Sequence, residues 1–372
     1  MEFTLSEDIE RFRDRVRNFS LREFPVYSKR SDEMEEFPEE LFRKAVASDI
    51  LHPEDIWKFI IALEEMSSVN PNLGISMAVP FFGNEILRFY GTQKQISDLY
   101  EPVIHGKKKM GLALTEPGGG SDLANLKTTA VREGDHYVIS GSKMFITNGD
   151  IADFLLVLAR TENGVKPQQS HSLFVLNPHA AGVKISKIQG KLGVRGTDTT
   201  IISLDGVHVD SSDMIGKPGM GFYYVMNFFD VSRTYVAALS VGIAEGIIRR
   251  LMAFYSDPEN KMEERHQFAI ADLAARVESA RMLTYEAVNS IHTGRTDPVL
   301  TSEAKAFASE VAVDSSRLGV LLTGTYGMES DMEQFFRDAK IMEIWEGSSE
   351  IERLVIYRFL RSKYGKKVSR AF

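Results

Sequence analysis

Apolar residues recur along this chain at two different periods, and the change from one period to the other and back divides it in three. Leu5, Ile9, Phe12, Val16 and Phe19 follow at helical spacing behind Thr4-x-x-Glu7, a capping box, which predicts a helix with one buried stripe. Pro53 suits a first helical turn, and Ile56, Phe59, Ile60, Leu63 and Met66 repeat the pattern. The apolar segment from Leu73 to Tyr90 contains Pro80 and Gly83, so a broken helix packed on both sides is expected there. From about 110 the period becomes two. Thr128 to Ile139 alternates around the turn Glu133-Gly134-Asp135, and short β runs follow at Phe154 to Leu158, Leu173 to Leu176, Val183 to Ile188 and Thr200 to Val209. From 217 the helical period returns. Val236, Leu239, Ile243, Ile247 and Leu251 form a core stripe, beside Ala237, Ala238, Gly242 and Gly246, which permit close helix approach. The expected fold is α+β and multidomain: an N-terminal helical domain over 1–109, a small middle β domain, barrel or sandwich, over 110–216, and a C-terminal helical domain over 217–372.

Composition narrows the function. A length of 372 residues allows two or three domains, and 43% hydrophobic with 26% charged residues describes an ordinary globular chain. The net charge of −8 argues against a nucleic-acid surface. With no cysteine there is no disulfide, thiolate catalysis or Cys-ligated metal, and a reducing, cytoplasmic setting is expected. The eight histidines are scattered without ligand spacing, so no metal is expected. The acidic N-terminus (Glu2, Glu7, Asp8, Glu10) is unlike a targeting peptide, and no apolar run reaches membrane-spanning length.

The most distinctive stretch is Leu114-Thr115-Glu116-Pro117-Gly118-Gly119-Gly120-Ser121-Asp122, followed by Lys143-Met144-Phe145-Ile146-Thr147-Asn148-Gly149. Three glycines after a proline make either a tight turn or a loop whose N–H groups can approach a ligand closely. The wording resembles the flavin-binding middle domain of the acyl-CoA dehydrogenases. That resemblance implies FAD as cofactor, with Leu114, Thr115 and Ser121 in one contact set and Phe145, where the family usually has Trp, and Thr147 in a second. Lys191 to Thr199 also resembles the family's middle domain. A structural role is expected of it, since Lys and Arg on β turns are usually solvated. Asp230-Val231-Ser232-Arg233-Thr234-Tyr235-Val236-Ala237-Ala238 is similar to a family helix in which the Asp and Arg help place acyl-CoA; Asp230 and Arg233 also have the spacing of a simple i,i+3 ion pair.

Near the end, Arg337-Asp338-Ala339-Lys340-Ile341-Met342-Glu343-Ile344-Trp345-Glu346-Gly347-Ser348 closely resembles the segment that carries the family's catalytic base. The resemblance makes Glu346 that base, Ser348 a flavin contact, and Ser121, Asp230, Arg233, Trp345 and Gly347 substrate contacts. Next to Trp345, an apolar wall could desolvate the carboxylate and raise its pKa. The implied reaction is α,β-dehydrogenation of an acyl-CoA thioester to the 2-enoyl-CoA, with electrons passed to an electron-transfer flavoprotein. Some members place the base one residue before the helix Arg. Here that position is Ser232, which cannot serve. The resemblance also implies a C-terminal four-helix bundle and a homodimer or homotetramer.

The chain departs from the family in three places. Ile50-Leu51-His52-Pro53 lacks the Tyr-Gly-Gly loop near the acyl end of the pocket. Ser256-Asp257-Pro258-Glu259-Asn260-Lys261 replaces an Arg-x-x-Phe-Gly stretch, and Gly319-Val320-Leu321-Leu322-Thr323 replaces Gln-x-x-Gly-Gly, both contacts to a neighbouring subunit's FAD. Two other readings stand beside the dehydrogenase: an acyl-CoA oxidase, which differs in the access of oxygen to the reduced flavin, and, favoured by the altered adenosine contacts, a non-catalytic acyl-CoA-binding or assembly subunit with weakened FAD binding.

Overall fold

The computed structural model describes residues 5–162 and 165–368. Helix α1 (Glu7–Glu33) starts two residues later than its capping box would place it, because Ser6 is the cap: its Oγ accepts the Ile9 N–H at 3.4 Å, and Thr4 lies outside the described residues. The predicted stripe is buried at Phe12, Val16 and Phe19. Helix α2 (Glu39–Ala47) leads to α3 (Ile56–Val69). There the Asp55 carboxylate accepts from Trp57 and Lys58 N–H groups at 3.1 and 3.2 Å, so Pro53 lies in the turn before the helix rather than in its first turn. The apolar segment after it is broken as its Pro and Gly require: α4 (Pro71–Ala78), a 3-10 turn over Val79–Phe81, Gly83 at φ +98°, then α5 (Asn84–Tyr90). The short α6 (Gln93–Gln95) and α7 (Glu101–Ile104), joined by a π turn, lead into the strands.

Eight strands form one mixed sheet: β1 (Met110–Ala113), β2 (Thr129–Glu133), β3 (His136–Thr147), β4 (Phe154–Arg160), β5 (His171–Leu176), β6 (Val183–Lys187), β7 (Thr199–Asp210) and β8 (Met214–Ile215). Their order is β6-β7-β3-β2-β4-β5-β8, with β1 parallel to β4. The sheet encloses its own core of Ala130, Ile139, Leu155, Val157, Phe174, Ile202 and Leu204. Residues 133–136 make the predicted hairpin turn, with Glu133 paired to His136.

The long helices α8 (Gly221–Ser256), α9 (Glu264–His292) and α10 (Pro298–Thr323) pack with α13 (Ser349–Val368), after the shorter α11 (Thr325–Glu329) and α12 (Met332–Ala339). Helix α8 also packs on α3, so the N-terminal and C-terminal helices share one apolar core. The glycines of α8 explain how closely: a Cβ at Gly242 would lie 2.1 Å from the Glu64 carbonyl oxygen, and one at Gly246 2.4 Å from that of Ser68. The charges of α3 are paired on either side, Glu64 with Arg281 of α9 and Glu65 with Arg17 of α1, each at 2.8 Å.

The segment from Lys191 to Thr199 is structural, but it is not solvated as a β turn would be. Lys191 Nζ donates to the Val194 carbonyl at 2.9 Å and to the Thr197 and Thr199 hydroxyls at 3.0 and 3.2 Å. Burial pushes this ammonium down to about 8. The same loop fastens the sheet to both helical regions, with Gly196 N–H donating to Asn72 Oδ1 at 2.6 Å and Val194 N–H to Asp338 Oδ1 at 2.5 Å. No helix among the described residues is long and apolar enough to cross a membrane.

Candidate active site

Between α12 and α13 the chain turns through two consecutive left-handed residues, Glu346 at φ +53° and Gly347 at φ +99°. Glycine adopts this conformation freely, whereas for Glu346 it is strained, a cost that functional sites often carry. Space fixes Gly347 as well: a Cβ there would lie 2.1 Å from Glu352 Oε1. Lys305, fully buried in α10, clamps the turn by donating to the Gly347 carbonyl at 2.5 Å. Ser348 caps α13, its Oγ accepting the Ile351 N–H at 3.4 Å.

The turn directs the Glu346 carboxyl onto α8. Ser232 Oγ donates to Glu346 Oε2 at 2.6 Å, and Lys305 and Arg233 bring positive charge nearby. Burial nonetheless dominates and pushes the carboxyl up to about 7. Trp345 packs on Phe82 at 5.8 Å between ring centroids, which supplies the apolar wall anticipated from sequence. Asp230 and Arg233 do form the i,i+3 pair, at 2.6 Å, and Arg233 also meets the buried Glu352 at 2.9 Å. Glu346, Gly347, Arg233, Asp230 and Trp345 therefore belong to one cluster.

A second cluster forms on the sheet. The glycine loop closes as a tight turn, with Glu116 and Gly119 exchanging backbone hydrogen bonds at 3.2 and 2.9 Å. Its start is tied to β3, since Met144 N–H donates to the Thr115 carbonyl at 2.9 Å. Lys143, fully buried, donates to the Leu114 carbonyl and to Glu116 Oε1, each at 3.0 Å. Glu116 also accepts the N–H groups of Lys127 and Thr128 at 2.7 and 2.9 Å. Neither Lys143 nor Glu116 was singled out from sequence, although both stand inside the two diagnostic stretches. Above this frame β3 kinks between Met144 and Ile146, and Phe145, at φ +58°, presents a ring that is 59% exposed. Leu114 is buried and Thr115 and Thr147 are half-buried beside it, while Ser121 is exposed at the far end of the turn.

The two clusters face a common junction. Asn148, next to Thr147, donates to the carbonyls of Val79 and Met110 at 3.1 and 3.0 Å. Val79 begins the short turn that delivers Phe82 to Trp345, so the end of β3 and the Glu346 turn grip the same segment.

Three family profiles match in series: the acyl-CoA dehydrogenase N-terminal domain over residues 6–107, the middle domain over 111–207 and the C-terminal domain over 219–361. The chain belongs to the acyl-CoA dehydrogenase family. Members are oxidoreductases that act on CH–CH bonds and use FAD. The short-chain-specific acyl-CoA dehydrogenase of Clostridium acetobutylicum is 35% identical over 381 aligned residues, covering 96% of this chain and 98% of the relative. The subunit CarC of the caffeyl-CoA reductase–Etf complex of Acetobacterium woodii is 31% identical, covering 96% and 99%. Among solved structures, butyryl-CoA dehydrogenase from Megasphaera elsdenii superposes with a TM-score of 0.91 at 26% identity, covering 97% of this chain and all of that one.

The acyl-CoA dehydrogenase cofactor can be tested against these residues. A flat ring with polar edges needs an accessible apolar face and hydroxyls beside it. Phe145 would supply the face and Thr115 and Thr147 the hydroxyls, and the buried Trp345 Nε1–H has no hydrogen-bond partner among the described residues. The isoalloxazine half of FAD fits this chain. The segment Ser256 to Lys261 closes on itself instead, with Asn260 N–H donating to the Asp257 carbonyl at 3.0 Å and Glu259 N–H to the Asp257 carboxylate at 2.9 Å.

Proposed function

We propose that this chain is an FAD-dependent acyl-CoA dehydrogenase in which Glu346 takes the α-proton of a saturated acyl-CoA thioester. The observation that carries the reading is the Glu346 carboxyl itself: half-buried between α8 and Trp345, held by Ser232, and pushed up to about 7, near the pKa that suits a general base at neutral pH. The proton leaves the α-carbon for Glu346 as the double bond forms and the β-hydrogen departs with its electron pair. Bound FAD supplies the acceptor for that hydride. Charge develops on the thioester oxygen meanwhile, and the Glu346 N–H, unpaired among the described residues, is available to it. Arg233 and Lys305 each favour the carboxylate before the reaction and the enolate during it, against the opposing charge of the buried Glu352.

Leu114, Thr115, Phe145 and Thr147 are the residues proposed to hold the flavin ring, with Ser121 and Ser348 at its margins. Asp230, Arg233, Trp345 and Gly347 are proposed to shape the thioester end. An electron-transfer flavoprotein is the proposed acceptor, supported by the Etf complex to which one relative belongs. The test is anaerobic titration of the purified, FAD-loaded protein with acyl-CoAs of graded length. Bleaching of the flavin, with one 2-enoyl-CoA per FAD, is expected, and is to be lost in Glu346→Gln. Bleaching that persists in that variant overturns the assignment of the base.

A further inference from the structure

One buried carboxyl has no part in this mechanism. Glu85, in the first turn of α5, keeps 7% of its surface, and its Oε1 accepts a short hydrogen bond from the hydroxyl of Tyr235 on α8, itself 2% exposed. Its Oε2 is enclosed and has no hydrogen-bond partner among the described residues. The surroundings are aromatic. Phe59 lies edge-on to Tyr235 at 5.0 Å and Phe82 tilts against it at 5.4 Å, and Phe82 in turn packs on Trp345 at 5.8 Å. The pair thus sits one aromatic ring away from the residue that precedes Glu346.

Burial pushes Glu85 up to about 7 in spite of the Tyr235 hydrogen bond, and the nearby charge of Glu346 adds to the rise. Packing alone does not call for such a group. Replacing both partners of a buried polar pair with apolar side chains of similar shape is often neutral or stabilising, whereas a half-satisfied carboxyl is a standing cost. A carboxyl kept here, with one oxygen spoken for and one left over, is the arrangement of a site that reads a polar group. At neutral pH the leftover oxygen can donate or accept, which a hydroxyl satisfies in either state and a second carboxylate does not.

We propose that Glu85 and Tyr235 close the acyl end of the pocket and select acyl-CoAs whose acyl group carries a hydroxyl, over plain aliphatic and over ω-carboxylated ones. This rests on the reading of Glu346 as the base, which fixes where the thioester lies. The unpaired Oε2 takes the substrate hydroxyl, while Tyr235 holds the carboxyl in its rotamer and keeps the plain alkyl terminus from satisfying the site. The discrimination against the plain chain comes from leaving that buried oxygen unmet.

The experiment compares plain, ω-hydroxylated and ω-carboxylated acyl-CoAs at each of several chain lengths, by kcat/KM and by equilibrium titration with the unreactive alkyl-CoA thioethers of the same three kinds. At the best length the hydroxylated compound should exceed the plain one by about tenfold or more, the worth of one hydrogen bond to a buried group. Glu85→Leu should reverse the order, and Glu85→Gln, which keeps the shape, should retain part of it. A wild-type preference for the plain chain at every length, or a ratio that Glu85→Leu and Glu85→Gln leave unchanged, overturns the proposal while dehydrogenation stands. Failure of every acyl-CoA to bleach the flavin overturns the dehydrogenase reading and this one with it.

Discussion

Ser232 on α8 donates a 2.6 Å hydrogen bond to Oε2 of Glu346, from the position where some relatives of this chain place their base. A serine there cannot take a proton from carbon, but it can hold the group that does. Its hydrogen bond favours the carboxylate and opposes the rise that burial imposes. Ser232→Ala should therefore raise the pKa of Glu346 further and move the acidic limb of the kcat–pH profile to higher pH. Turnover at neutral pH should fall on the order of tenfold and recover in alkali. A uniform loss with the limb unmoved would mean that Ser232 only packs.

Glu346→Gln separates chemistry from stability. Turnover should drop by roughly 10²–10⁴-fold with acyl-CoA binding kept, because the amide retains shape and has no basicity. The folded pKa of Glu346, about 7, lies above its ordinary 4.5, so the native state binds the proton more tightly than the unfolded chain does. That contribution to stability is complete below the ordinary value and is lost as pH rises towards 7. Glutamine has no proton to lose. Above pH 7 the variant should melt at least as high as the wild type, by calorimetry in the absence of substrate; a lower midpoint at every pH would contradict this.

How far these features could be read from sequence depends on whether their partners are near in the chain. The three-part architecture was legible because a period of two is visible against a helical one, and Glu346 was legible through the wording around it. Its holder Ser232 lies 114 positions away, so their contact was not, although a serine's chemistry alone excludes Ser232 as the base. Glu85 stood inside an apolar run that reads as core, and only the fold places Tyr235 against it. Pro53 looked like a helix start because proline suits one, yet the cap belongs to Asp55, whose carboxylate reaches two N–H groups. Lys191 reads in sequence as a solvated turn residue. Nothing local shows that Val194, Thr197 and Thr199 curl round its ammonium.

Lys143 offers a test of the flavin-side frame. It is fully buried and joins the carbonyl of Leu114 to the carboxylate of Glu116, the two residues that flank Thr115. Lys143→Met removes one partner of a buried ion pair and leaves the Glu116 charge less compensated, a change that costs about 3–5 kcal/mol where such pairs have been broken. Urea unfolding should show that loss, and the variant should retain less FAD through gel filtration. An unchanged midpoint would show that Glu116 is satisfied by the Lys127 and Thr128 N–H groups alone.

Assembly and cofactor affinity should prove to be separable. On α13, Leu354, Tyr357, Leu360 and Tyr364 recur at helical spacing and are all exposed, an apolar stripe that a single chain leaves in water. We expect it to be covered by a second copy, giving a homodimer or homotetramer by light scattering; a monodisperse monomer at micromolar concentration would contradict this. Tyr357→Glu with Leu360→Glu should push the assembly toward monomers. The adenosine half of FAD is where a neighbouring subunit normally contributes, and here the segment from Ser256 to Lys261 offers Asp257 and Glu259 in a turn that is closed on itself. Each charge-assisted hydrogen bond is worth about 1.5–3 kcal/mol, and about 1.4 kcal/mol is tenfold, so the absence of two or three would weaken FAD binding by several powers of ten. The homo-oligomer should thus release FAD on dilution, and added FAD should raise its thermal midpoint. Titration of the apoprotein decides it: FMN should bind nearly as well as FAD, because the ring is held by residues of one chain, whereas FMN far weaker than a tightly held FAD would mean that an adenosine site has been rebuilt elsewhere.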